Sequence, residues 1–276
     1  MHRRTRRALF VLATCIFLLA GYIAILYAQG YKYDIGENTF HRTGAIFIRS
    51  NADGDLYLND ELYTSTSFFG NSASIDRLLP GTYTISLRRE NFTTWTKEAM
   101  VQEGLLTEFS NAMILPTMSE EIEKIKLEIS SILYPIVSPS PTMSPTPSGS
   151  PKKTPTPLAT PTPLNNGDFY IKTNTLYQVQ EKGDVVIAVG AKGFALSPNK
   201  NKVLWWNNNE ISVTWMTETD YQPFHNQGDT LLITKFSKPI LKADWFRDND
   251  HFVVDTGGSF TISEIDTRGG LNLIKI

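Results

Sequence analysis

Apolar residues crowd one place in the chain. Ala8 to Ala28 reads ALFVLATCIFLLAGYIAILYA without a charge, directly after Arg3, Arg4, Arg6 and Arg7. A helix rises about 1.5 Å per residue, so roughly 20 apolar residues cross a hydrocarbon core of about 30 Å. Arginines flanking such a segment stay on the cytoplasmic side. The pattern predicts a single-pass anchor: a basic cytoplasmic tail over 1–7, a transmembrane helix over 8–28, and an exterior portion from about Gln29 onward. Two other readings stay open. A cleaved signal peptide also has an apolar core after basic residues, but a core of only about 7–15 residues. Its cleavage wants small residues where Leu26-Tyr27-Ala28 puts a leucine. Lipidation of Cys15 after Leu12-Ala13-Thr14 is the other, although the apolar run continues well past that cysteine.

Beyond the anchor the period changes to two. Ala45-Ile46-Phe47-Ile48 and Leu56-Tyr57-Leu58 flank a turn at Asn51-Ala52-Asp53-Gly54-Asp55, and Thr82 to Leu87 alternates after a Pro80-Gly81 turn. Phe92 to Val101 and Leu105 to Ile114 supply further strand candidates. Short strands with tight turns over residues 44–115 predict a small antiparallel sandwich. A helical pattern follows over 117–134. Leu115, Met118, Ile122, Ile125, Ile129 and Ile132 recur at spacings of three and four, with Ser119 as the expected cap and Glu120 and Glu121 in the first turn. A carboxylate suits that end of the helix dipole. The seam suits either packing against the sandwich or self-association.

From Pro135 to Leu164, ten positions are proline and most others are Ser or Thr. Proline fixes φ and removes a donor, so this stretch reads as an extended spacer, reaching up to about 90 Å at about 3.1 Å per residue. Its Ser/Thr density also suits a glycosylated stalk.

Residues 166–276 contain a repeat. Shifted by 49 positions, Leu196-Ser197-Pro198-Asn199 falls on Trp245-Phe246-Arg247-Asp248, Val203-Leu204-Trp205 on Phe252-Val253-Val254, and Ile211-Ser212-Val213 on Phe260-Thr261-Ile262. Thr230 to Ile233 follows the first copy and Leu271 to Ile276 the second. Four short strands in about 40–50 residues is a propeller-blade period, and closure needs at least about four blades. Two copies and a partial one over Phe169 to Val189 leave the domain incomplete. Trp205, Trp206, Trp215, Trp245 and Phe246 are expected in its core rather than as sugar-stacking platforms.

Two parts resemble known families. Gly44-Ala45-Ile46-Phe47-Ile48-Arg49-Ser50, Leu56-Tyr57-Leu58-Asn59-Asp60, Leu78-Leu79-Pro80-Gly81-Thr82-Tyr83, and Arg88-Arg89-Glu90-Asn91-Phe92 followed by Trp95 resemble the PEGA domain of bacterial and archaeal surface proteins. The chain departs from that pattern at Ala52-Asp53-Gly54-Asp55 and at Asp60. The resemblance implies a small β-sandwich that binds or supports rather than catalyses. Ser197-Pro198-Asn199 resembles the turn of WD-repeat-like and Tol-type propellers.

Composition narrows the function. The formal charge is −2, and four arginines lie before the anchor, so the exterior portion is net acidic and carries no basic excess to grip nucleic acid. Cys15 is the single cysteine, so exterior stability rests on packing. His2, His41, His225 and His251 show no metal-ligand spacing. Asn51, Asp53, Asp55, Asn59 and Asp60 invite calcium, but the EF-hand order wants Gly and Glu where Leu56 and Leu62 stand. Asp248, Asn249 and Asp250 likewise read as turn chemistry. Asn91-Phe92-Thr93 is a glycosylation sequon. Nucleophile-elbow, phosphate-loop and dinucleotide patterns are absent.

The expectation is an all-β protein, a small β-sandwich plus propeller-like repeats, with one N-terminal transmembrane helix and a short amphipathic helix. Catalytic, cofactor and metal residues are expected to be none. Its role is expected to be a cell-envelope scaffold or binding module holding its distal domain off the membrane, with polysaccharide or a surface protein as ligand. The alternative is a sensor or assembly subunit that uses its heptad helix and open blades on a protein partner or on itself.

Overall fold

The computed structural model describes residues 3–66, 70–135 and 168–276. The chain divides into two compact units. One is Met1–Thr117 with Arg268–Asn272, and the other is Met118–Thr267 with Leu273–Ile276. Most of the described structure is β-sheet. The expected spacer falls on residues outside the described set, apart from Pro135.

The first unit opens with α1, Arg3–Ala28, which takes in the arginines as well as the apolar run. None of its residues is buried. It is long and apolar enough to cross a membrane. Gly30 ends it at φ +85°, a left-handed conformation a side chain would resist, with its N–H bonded to the Tyr27 carbonyl at 3.2 Å. The short hairpin of β1 (Tyr31–Asp34) and β2 (Thr39–Arg42) follows.

Seven strands then form two sheets: β3 (Gly44–Ser50), β4 (Asp55–Leu58), β5 (Glu61–Ser65), β6 (Ser72–Leu78), β7 (Gly81–Arg88), β8 (Trp95–Val101) and β9 (Leu106–Ala112). One sheet runs β6-β3-β9 and the other β5-β4-β7-β8. Both contribute to one core, with Ile46 and Ile48 from the first and Leu56, Ile85, Leu87 and Trp95 from the second. The expectation of a wholly antiparallel arrangement is corrected here, because β9 runs parallel to β3. Alternation along a strand decides which side chains point inward, and leaves direction to the crossover that delivers the strand. Positive φ at both Asn59 (50°) and Asp60 (66°) makes the β4–β5 turn, a conformation these side chains tolerate.

On β8, Trp95, Lys97, Ala99 and Val101 are buried and the residues between them exposed. Lys97 is tolerated inside because its ammonium donates to the Gly270 carbonyl at 2.5 Å. The Arg268–Asn272 segment lies along this edge, with the Glu98 N–H donating to the Gly269 carbonyl at 2.9 Å.

The second unit begins with α2, Ser119–Leu133. Ser119 is its first helical residue rather than its cap. Met118 holds the cap position, without a side-chain hydrogen bond. Three sheets follow. The first comprises β10 (Phe169–Lys172), β11 (Thr175–Gln178) and β12 (Val185–Val189). The second comprises β13 (Gly193–Leu196), β14 (Lys202–Trp206), β15 (Glu210–Trp215) and β16 (Thr230–Lys235). The third comprises β17 (Lys242–Trp245), β18 (His251–Asp255), β19 (Phe260–Glu264) and β20 (Leu273–Lys275). All are antiparallel meanders in chain order, and among the described residues they close into neither a barrel nor a propeller.

The repeat reaches down to single hydrogen bonds. Gly193–Leu196 and Lys242–Trp245 stand 49 positions apart, as do Lys202–Trp206 and His251–Asp255. The Ser197 N–H donates to the Lys202 carbonyl at 2.9 Å, and its counterpart Phe246 donates to His251 at the same distance. A side-chain oxygen of Asn199 accepts from the Asn201 N–H, as that of Asp248 does from Asp250.

The helix α2 falls in this repeat unit. Residues on β17 alternate, and the Trp245 indole N–H donates to the Ala195 carbonyl of the second sheet at 3.1 Å. Lys242 lies on the other face, its ammonium 5.1 Å from the centre of the Tyr134 ring. The Tyr134 hydroxyl donates to Asp255, which pairs with Lys242 across the strands, at 2.7 Å. Ile125, Ile129 and Leu133 are buried. The third sheet therefore has a sheet on one face and α2 on the other. The described residues on both sides of the proline-rich stretch, α2 and β10 onward, fall in this second unit.

Candidate functional site

The densest polar centre lies where the turn of the third sheet meets β14. Lys202 opens β14 and is 1% exposed. Its ammonium donates to the Asp250 carboxylate at 2.6 Å, the Tyr221 hydroxyl at 2.7 Å and the Asn249 carbonyl at 2.9 Å. Tyr221 also donates to Asp250 at 3.0 Å. Burial first, and then the charge of Asp250, push the Tyr221 hydroxyl well above the ordinary phenol range. A tyrosine held so firmly protonated is a donor and not a base.

Asp248 stands beside this group. It accepts from the His251 ring Nδ1 at 2.8 Å and from the backbone N–H groups of Asp250 and His251. Burial alone would raise the Asp248 pKa. The hydrogen bond and charge of His251, with the two backbone donors, outweigh it and hold the carboxyl below its ordinary value. His251 stands at the repeat position of Lys202, and its Nε2 is buried without a hydrogen-bond partner. Arg247 adds a bidentate pair to Glu128 of α2, at 2.9 Å and 2.6 Å. Such an arrangement fixes two neighbouring turns and a helix in register.

Sequence reasoning read Asp248, Asn249 and Asp250 as turn residues, and all three lie in the turn between β17 and β18, but it missed Lys202. A lysine opening a strand among Val203, Leu204 and Trp206 carries no signal of its own, since its carboxylate partner lies 48 residues away.

The acidic cluster near Asn51 is divided among separate partners. Asn51 exchanges two hydrogen bonds with the Ile114 backbone, each at 2.9 Å. Asp53 pairs with Arg89, Asp60 with Arg88, and Asp55 accepts from Ser65. Among the described residues, no group of three or more His, Cys, Asp or Glu side chains is placed to hold a metal.

The aromatic residues of the repeat are mostly core. Trp206, Trp215, Trp245 and Phe246 are buried. Trp205 is half-buried, its indole N–H donating to the Thr214 hydroxyl at 3.1 Å. Trp215 stacks on His225 with ring centres 3.6 Å apart.

A second feature lies at the end of α1. A cavity of about 150 Å³ is lined by Tyr27, Gly30, Tyr31, Lys32, Thr43 and Arg77. The Arg77 guanidinium lies 4.5 Å from the centre of the Tyr27 ring and donates to its hydroxyl. The Thr43 hydroxyl and N–H both donate to the Gly30 carbonyl at 2.8 Å.

No protein family's sequence profile matches the chain, and no curated protein does. Among solved structures it is similar to a Kluyveromyces lactis protein, "Hsv2 complete loop 6CD", at 12% identity and a TM-score of 0.29. The match covers 73% of this chain and 59% of that one, so the chain spans less than two thirds of its length. At that TM-score the likeness assigns no fold.

Proposed function

We propose that the chain is a membrane-anchored extracytoplasmic protein of the cell envelope, serving as a non-enzymatic scaffold or binding module. In this reading α1 stays in the bilayer with its arginines on the cytoplasmic side. The two-sheet unit is a PEGA-like sandwich close to the membrane, and the three sheets are propeller-like blades that offer a surface to polysaccharide or to a surface protein.

The observation that carries the reading is the bare apolar surface of α1. None of its 26 residues is buried, and the segment holds no acidic group. Hydrocarbon is the solvent that such a helix suits. The second support is that the polar groups of the Lys202 and Asp248 centre mostly engage one another, which suits holding a surface in shape. The alternative, assembly through the heptad helix, is less favoured, because Ile125, Ile129 and Leu133 are already buried.

Protease added to intact cells tests the topology. Digestion of the tryptophan-rich region without lysis supports the reading. Protection in intact cells with digestion after lysis overturns it.

A further inference from the structure

We propose that the cavity at the end of α1 binds the phosphate of a membrane phospholipid, fixing the depth and tilt of the anchor. The proposal rests on the reading that α1 remains in the bilayer.

Three observations converge. The first is position. Tyr27 lies in the last turn of α1, where an apolar helix of this length reaches the headgroup layer, and aromatic side chains with a polar tip favour that layer. Tyr31 follows it on the cavity wall. The second is charge. Lys32 and Arg77 line the cavity, both are exposed, and among the described residues neither pairs with a carboxylate. The neighbouring acids are occupied elsewhere. Asp34 accepts from the Gly36 N–H at 2.7 Å, Glu37 pairs with His41 at 2.8 Å, and Asp76 accepts from the Ser74 hydroxyl at 2.8 Å.

The third is pre-organisation and size. A guanidinium has five donors in a fixed fork, and Arg77 is steadied by Tyr27 through one of them and by the ring face. Its backbone sits at φ +59° within β6, so the side chain is presented from a constrained irregularity near the end of that strand. The volume of about 150 Å³ is below the roughly 300–1,000 Å³ of small-molecule sites. It suits one tetrahedral anion with its ester oxygens and not a whole metabolite. A phosphodiester offers its two non-bridging oxygens to the two cations and leaves its acyl chains beside α1. A free anion has the same chemistry, and position favours the lipid.

The test uses the full chain reconstituted in bilayers of phosphatidylglycerol and phosphatidylcholine, extracted in mild detergent, and examined by native mass spectrometry. Wild type is expected to keep a phospholipid adduct. Lys32→Gln and Arg77→Gln are each expected to lower its occupancy about fivefold, the factor for one cation near a lipid surface. Lys32→Gln changes an exposed side chain and spares the Arg77–Tyr27 contact, so it tests the site without disturbing the fold. Occupancy unchanged in both variants overturns the proposal. Loss of the adduct on adding millimolar inorganic phosphate overturns the lipid assignment. Alkaline carbonate treatment separates the two readings. Release of the chain into the supernatant overturns the anchor and this site together, whereas a chain that stays in the pellet with unchanged adducts overturns the site alone.

Discussion

The ammonium of Lys202 lies 2.6 Å from the carboxylate of Asp250, and the two residues come from successive copies of the repeat. With side chains 2% and 16% exposed, the pair joins the second and third sheets in a poorly solvated place. Breaking a buried pair strands a charge, whereas replacing both partners removes the cost of burying them. Asp250→Ala is expected to destabilise the chain by about 3 kcal/mol. The double change Lys202→Met with Asp250→Leu should return most of it. Urea unfolding followed by tryptophan emission checks both. An Asp250→Ala midpoint equal to wild type counts against a structural role for the pair.

Acid should find the Asp248 site first. Its folded pKa lies below the ordinary 3.8, so its stabilisation is complete above that value and is lost as pH falls through the folded value. Asp248→Asn is expected to weaken the fold at pH 7 and to flatten the fall in stability below about pH 4. Asp244 has the opposite sign, since burial raises its pKa against the Trp245 N–H and Lys242, which lower it. Its ionisation costs stability at neutral pH, so Asp244→Asn should stabilise at pH 7 and change little at pH 3. Unfolding midpoints at the two pH values decide.

Gly193 is required by its neighbour and not by its backbone angle. A Cβ there would overlap the Trp206 indole, which lies flat against the start of β13. Gly193→Ala is expected to cost about 1–3 kcal/mol through overpacking. Its counterpart in the next copy is Lys242, where no indole intrudes, so Lys242→Ala should cost less. Thermal melts of the two variants provide the comparison.

The placement of α2 is tested at Ile129, which is fully buried. Ile129→Ala is expected to cost about 2–5 kcal/mol and to speed amide exchange in β17 and β18 while leaving the sedimentation coefficient unchanged. A shift toward smaller species, without loss of stability, would instead restore the self-association reading.

Much of the β structure was legible because side-chain alternation and turn residues are local signals. Thr82 to Leu87 lies in β7, and the 49-residue shift lands strand on strand. The β1–β2 hairpin was not legible, since Tyr31–Asp34 and Thr39–Arg42 are mostly exposed and leave no buried stripe. Lys97 on β8 reads as a solvent residue in sequence. It points inward because the Gly270 carbonyl, 173 positions later, accepts from it. The Lys202 centre was missed for the same reason. Nothing within one strand tells a buried ammonium from an exposed one until its partner is brought near.

By itself, the order of residues determined what depends on neighbours a few positions apart: the apolar length of α1, the period of the strands, the helical seam of α2 and the repeat. Tertiary structure decided what depends on distant partners. It set β9 parallel to β3, laid α2 on the third sheet, and made Lys202 and Arg77 parts of defined sites. The physical reason is range. Sterics and periodic burial act along the chain, whereas a buried charge or an uncovered apolar face is settled by whichever complementary group the fold delivers to it.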